Sequence, residues 1–239
     1  MCGQCKSSMP FLSRRNVMAG AAALLTAGAL HLPARAEDKS SPDAQNAILP
    51  AEALMRLKEG NARYAANEPN ERDSRAARAE AQFPVAAIVS CSDSRVVPDL
   101  VFDQSPGDLF VVRLAGNIVD NDAYASLEYA VKFLGAPLIL VLGHSNCGAV
   151  AAAIKVVMER AELPGHLPGL IKAIEPAVIA AHGRHPSDML AAVIEENVLH
   201  GMKEMRKDSV IIAEAFEAKR IDIAGGVYDI ATGKVNLLS

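Results

Sequence analysis

Four short apolar runs, each closed by turn-forming residues, constrain the fold of this chain more than any other feature: Val85–Ser90, Leu109–Leu114, Leu138–Leu142 and Ile221–Ala224. Side chains along a strand point alternately to its two faces, so a run without polar alternation has both faces covered. Strands of that kind belong to parallel sheets with helices on each side. Helical stretches separate the runs. Pro50 opens "PAEALMRLKEGNARYAAN" in the favoured first-turn position, with Leu54, Leu57 and Tyr64 at helical spacing. The stretch 121–135 has Asp122 as an expected N-cap and Gly135 as its stop, and 148–160 follows the third run at once. A helix over 187–207 is expected to start from a Ser187 cap, and 209–220 leads into the fourth run. The end, "GGVYDIATGKVNLL", reads as a hairpin about Thr232–Gly233. Strands alternating with helices give an α/β fold, a central and mostly parallel β-sheet flanked by helices.

Composition agrees with one globular domain. Of 239 residues, 51% are hydrophobic and 22% charged, and with no Trp the core has to be built mainly from Ala, Val, Ile and Leu. The first 36 residues differ from the rest. They carry Lys6, Arg14, Arg15 and Arg35 and no acidic residue, then an Ala/Gly/Leu run over 19–30 and "ARA" at 34–36. A basic start, a short apolar stretch and small residues before a break describe a cleavable export signal, and the paired arginines resemble the twin-arginine type. The run is shorter than the roughly 20 residues of a membrane span. A buried helix or a retained anchor is the alternative. The expected organisation is an export signal over 1–36, a flexible lead-in over 37–49 and a single folded domain over 50–239. The expected location is the periplasm, or otherwise outside the cytoplasm by export.

Loss of that signal removes four positive charges and no negative one, so the net charge moves from −4 to −8. Such an acidic protein is a poor partner for nucleic acid or an anionic membrane. Cys2 and Cys5 leave too, and with them a CxxC that lacks any strand or helix context. Two cysteines remain.

Both stand at the ends of apolar runs, where α/β sheets bind their ligands. The first run ends in Cys91–Ser92–Asp93–Ser94–Arg95 and the third in Gly143–His144–Ser145–Asn146–Cys147. If these two strands are neighbours, Cys91, His144 and Cys147 converge. Two thiolates and an imidazole suit Zn²⁺, and three protein ligands leave a fourth position for water. The alternative is a disulfide, common in exported proteins. It explains neither His144 nor the Asp93/Arg95 pair, so zinc is favoured.

C-x-D-x-R followed about fifty residues later by H-x-x-C resembles the β-class carbonic anhydrases, and the similarity extends from "EGNARY" (59–64) to "GGVYDIATGKV" (225–235). That resemblance implies one Zn²⁺ per subunit, held by Cys91, His144 and Cys147. It implies Asp93 as the carboxylate beside the metal and Arg95 as the group that holds it, with Asp93 able to swing onto the metal in an inactive form. It also implies Gln82 as a donor to substrate oxygen, and Phe110 and Tyr129 as walls of an apolar pocket, with Ala115 at a position that can carry a larger residue. One subgroup has an inhibitory bicarbonate site that uses a Trp where this chain has Ile88, so no such site is expected here. The implied reaction is reversible hydration of CO₂ to bicarbonate and a proton by zinc-bound hydroxide, in a homodimer or higher homo-oligomer. Hydrolysis of carbonyl sulfide or carbon disulfide on the same scaffold, or zinc binding without catalysis, are the alternatives. His166, His182, His185 and His200 are candidate proton relays among which the sequence does not choose.

Overall fold

A computed structural model describes residues 48–68, 79 and 81–238. The expected export signal and most of the lead-in lie outside the described residues. The first helix, α1 (Pro50–Ala65), begins on its proline. Then come β1 (Ala86–Ser90), the short α2 (Pro98–Val101), β2 (Leu109–Arg113) and α3 (Asn121–Lys132). β3 (Leu138–His144) is followed by α4 (Gly148–Glu159), α5 (Leu167–His182), α6 (Met189–Asp208) and α7 (Val210–Glu217), and β4 (Asp222–Tyr228) and β5 (Val235–Leu238) close the chain.

The sheet order is β2-β1-β3-β4-β5. The first four strands are parallel and β5 returns antiparallel beside β4. Every residue of β1 and β3 is buried, as their unbroken apolar runs require. Their side chains divide by parity. Ala87, Val89, Ile139 and Val141 face a core shared with α3, α6 and α7, through Leu127, Val198, Met205 and Ile212. Ala86, Ile88, Leu138, Leu140 and Leu142 face the opposite core, built with Leu57 of α1 and Val101 and Phe102 around α2. Each fully buried aliphatic side chain contributes about 1.5–3 kcal/mol, so these two layers dominate the stability of the fold. Asn61 of α1 adds a polar staple: Nδ2 donates to the Val101 and Gly233 carbonyls at 2.9 and 2.8 Å, and Oδ1 accepts from the Val235 amide.

Four local expectations are corrected. The N-cap of α3 is Asp120, whose carboxylate accepts from the Ala123 amide at 2.9 Å, not Asp122. A cap must sit just before the first helical residue, and Asp122 instead lies in the first turn, where its charge still suits the helix dipole. Likewise Asp188, not Ser187, caps α6. The helix α5 is not among the expected elements, and Pro176 falls inside it. Its Ile171, Ile174, Ala177, Val178 and Ala181 are buried at helical spacing, and that apolar face outweighs the proline penalty. Finally, β4 does not end at Ala224 but runs on to Tyr228 through Gly225 and Gly226, so the fourth apolar run and the first arm of the expected hairpin are one strand. A Cβ at Gly225 would come within 2.5 Å of the Met202 sulfur, so this glycine admits close packing by α6.

Candidate metal centre

β1 and β3 are neighbours, with Ser90 opposite Leu142, so the residues just beyond both strands meet at the same edge of the sheet. Cys91 leaves β1, His144 ends β3 and Cys147 stands immediately before α4. Their ligand atoms all lie within 4.8 Å of one another. All three side chains are buried: Cys91 is 4%, His144 0% and Cys147 1% exposed. Both thiols are free, so the disulfide alternative is not realised.

The imidazole decides what kind of cluster this is. His144 Nδ1 donates to the Ser145 carbonyl at 2.9 Å, which fixes the proton on that nitrogen and leaves Nε2 as a lone pair. Nε2 is buried and has no hydrogen-bond partner. A buried acceptor left unpaired is costly unless something else binds it. Tetrahedral zinc takes sulfur at about 2.3 Å and imidazole nitrogen at about 2.0–2.1 Å, and two sulfurs plus one bare nitrogen within this span fit it.

The two thiols share their protons unequally. Cys91 is pulled well below the usual thiol range, first by the Cys147 thiol against the opposing effect of burial, then by the imidazole and the Asp93 and Gly116 amides. Cys147 is pushed up, first by its bond to Cys91 and then by burial. Its sulfur sits at the amide end of α4, where the Val150 and Ala149 N–H groups act in the other direction. A metal cation bound here would replace the remaining thiol proton.

Beside the cluster, Asp93 is gripped at both oxygens. Arg95 Nε donates to Oδ1 at 2.9 Å and Nη2 to Oδ2 at 2.7 Å, and the Arg95 amide donates to Oδ1 at 3.0 Å. The Arg95 guanidinium therefore holds this carboxyl well below the ordinary carboxylate range. Asp93 Oδ2 is 3.9 Å from His144 Nε2, so an ionised oxygen borders the place where a metal would sit.

Three supporting groups escaped the sequence reading. Arg113, at the end of β2, donates from Nε to the Cys91 carbonyl at 3.1 Å and from Nη2 to the Asp93 carbonyl at 2.7 Å. The Gly116 amide donates to Cys91 Sγ at 3.2 Å, and Asn197 Nδ2 donates to the Gly116 carbonyl at 2.8 Å. The available signal was "RLAGN" at 113–117, an arginine and a glycine turn closing an apolar run.

Residues 86–235 match the family model described as carbonic anhydrase. The fold is similar to that of a tetrameric β-carbonic anhydrase from the filamentous ascomycete Sordaria macrospora, with a TM-score of 0.60 at 28% identity over 67% of this chain and 83% of that one. This chain belongs to the β-carbonic anhydrase family. It is 36% identical over 196 residues to a carbonic anhydrase of Mycolicibacterium smegmatis, covering 80% of this chain and 94% of the relative. It is also 36% identical over 193 residues to carbonic anhydrase 2 of Mycobacterium tuberculosis H37Rv, covering 79% and 92%.

The pocket residues implied by the carbonic anhydrase resemblance stand elsewhere in the single chain. Gln82 is exposed and precedes β1, at the strand's amino end, whereas Cys91 follows its carboxyl end. Phe110 pairs in register with Ala87, four residues short of Cys91, or about 13 Å along the sheet. Tyr129 stacks near Phe110 with ring centroids 6.2 Å apart and remains 47% exposed. Ala115 lies in the turn beside the metal ligands. Ile88 is fully buried in β1, His182 and His185 pack edge to face, and His200 lines a cavity of about 150 Å³ with Tyr124 and Asn117.

Proposed function

We propose that this protein catalyses the reversible hydration of CO₂ to bicarbonate and a proton, with one Zn²⁺ per subunit held by Cys91, His144 and Cys147. The observation that carries this reading is the bare, buried His144 Nε2, converged with two free thiols beside an arginine-clamped carboxylate. Zinc held by Cys91, His144 and Cys147 would supply Lewis acidity, enough to make water a nucleophile near neutral pH.

The chain's own residues do the rest. Asp93, kept ionised by Arg95, accepts a hydrogen bond from the attacking oxygen and aims it. Arg113 fixes the backbone of the same loop, so that the carboxylate and Cys91 keep their spacing. CO₂ is apolar and needs an apolar wall rather than a charged anchor, which Phe110 and Tyr129 provide, and Gln82 donates to the oxygen on which charge develops.

In this reading Gln82, Phe110 and Tyr129 come from the second subunit of a homodimer, or of a higher homo-oligomer. A two-fold interface sets the amino end of one β1 against the carboxyl end of the other, which brings the two halves of the pocket together. The half-exposed Tyr129 and Phe133 support it, since they leave aromatic surface uncovered on a single chain.

We further propose that residues 1–36 are a twin-arginine export signal, that residues 37–49 are a lead-in to a catalytic domain over 50–239, and that the mature protein works in the periplasm. It would bind neither nucleic acid nor, after cleavage, a membrane. Export in the folded, metal-loaded state would keep Cys91 and Cys147 from oxidising to a disulfide. Stopped-flow CO₂ hydration on purified mature protein tests the activity. Zinc-dependent turnover supports it, and zinc-loaded protein that leaves the uncatalysed rate unchanged overturns it.

A further inference from the structure

A second line of hydrogen bonds reaches Cys91 from behind, out of the helix layer. Asn197, in the middle of α6, is 4% exposed, and its amide nitrogen donates to the Gly116 carbonyl at 2.8 Å. The Gly116 N–H in turn donates to Cys91 Sγ at 3.2 Å. Cys91 receives a second amide, that of Asp93 at 3.4 Å, but Asp93 belongs to the same loop as the thiol and moves with it. Gly116 comes from the turn after β2, a separate segment, so its N–H stays on the sulfur only while that turn is held in place.

The turn closes on one backbone bond, Asn117 N–H to the Leu114 carbonyl at 2.9 Å, which leaves the Gly116 N–H and carbonyl to outside partners. Gly116 has φ of +70°, open to glycine but unfavourable to other residues, and a Cβ there would lie 2.7 Å from Ile174 Cδ1 and 3.2 Å from the Ala149 side chain. The position must therefore lack a side chain, and a glycine free of side-chain contacts has many conformations to choose from. Asn197 restrains that freedom by holding the carbonyl of the same glycine whose N–H is presented to the metal-binding sulfur, so the peptide planes on both sides of its φ/ψ pair are anchored.

We propose that Asn197 is a positioning residue for the metal, acting through Gly116 to orient and partly neutralise the Cys91 sulfur. This rests on the reading that Cys91, His144 and Cys147 hold zinc. Outer-shell partners of this kind typically change metal affinity 10- to 100-fold, because they set both the direction of the ligand's lone pair and the charge left on it.

The test is zinc affinity by chelator competition on the mature protein, together with the sulfur-to-cobalt charge-transfer band of the Co²⁺-substituted form. Asn197→Ala is compared with Met205→Ala, which removes a fully buried side chain two turns along the same helix and touches no part of the site. The expected result is zinc affinity about 10- to 100-fold weaker and a shifted charge-transfer band in Asn197→Ala. Met205→Ala should lose thermal stability while its affinity and band stay at wild-type values. Unchanged affinity in Asn197→Ala, or an equal loss in Met205→Ala, overturns the proposal. If Asn197→Ala does not fold, Asn197→Asp is read by the same criteria, since it keeps the shape and loses the donor. A wild-type protein that takes up no zinc would contradict the metal reading itself and not merely the role of Asn197.

Discussion

The two ends of β1 differ in how complete they are. At the carboxyl end, one chain assembles three buried ligands, an arginine-clamped aspartate and two rows of supporting hydrogen bonds. Toward the amino end, Gln82 is exposed, and Phe110 of β2 with Tyr129 of α3 and Phe133 just after it form a ladder of rings open to solvent on one side. The difference teaches that a metal site needs precision from within one chain, where strand register and hydrogen bonds set the spacing of its donor atoms. A pocket wall for an uncharged gas needs only apolar surface, which a second copy can bring.

Substitutions at the two ends should therefore fail in different ways. The largest effect is expected for His144→Ala. It removes a ligand from a buried site and should abolish stoichiometric zinc by elemental analysis and bring CO₂ hydration down to the uncatalysed rate. Retained metal with retained turnover would break the comparison. Next comes Asp93→Asn, which keeps the shape and the zinc but loses the charged acceptor. Its kcat should fall by about 10²–10⁴-fold, the range of a positioned acid–base group, with zinc content unchanged. Tyr129→Ala should act at the other end: metal content as in wild type, KM raised several-fold, and a subunit association weakened in sedimentation.

The smallest effect concerns acid stability. Because Arg95 lowers the folded-state pKa of Asp93, the pair stabilises the fold above the unfolded carboxyl pKa of about 3.9 and loses that contribution as pH falls toward the folded value. Arg95→Ala should therefore unfold at a slightly lower urea concentration than wild type at pH 7, and the gap should close in strong acid. A gap that widens as pH falls would contradict the assigned direction. The pair is partly exposed, so the difference is small.

The same contrast explains what the sequence made legible. Strands buried on both faces announce themselves as unbroken apolar runs, so β1 and β3 could be read within a residue or two; β2 reads the same way, yet as an edge strand it buries only Leu109. The cysteines and His144 stood out because reactive residues rarely cluster where such runs end. The helix α5 was hidden by Pro176, since the apolar spacing that outweighs a proline becomes decisive only when α4 and α6 are present to bury it. Asn197 was hidden for a related reason. It lies 81 residues from Gly116 on a helix whose pattern marks it only as another inward position. The separation of Gln82 and Tyr129 from the metal ligands depends on strand direction and register, which no local motif encodes.

The central claim is one metal ion held by two sulfurs and an imidazole, with a fourth position left to solvent. X-ray absorption at the zinc edge of the purified mature protein tests it most directly. The account predicts one zinc per chain with two sulfurs at about 2.3 Å and two lighter atoms, one of them imidazole nitrogen, at about 2.0–2.1 Å. A zinc shell without sulfur, or an active protein free of metal whose Cys91 and Cys147 are joined as a disulfide, would contradict it.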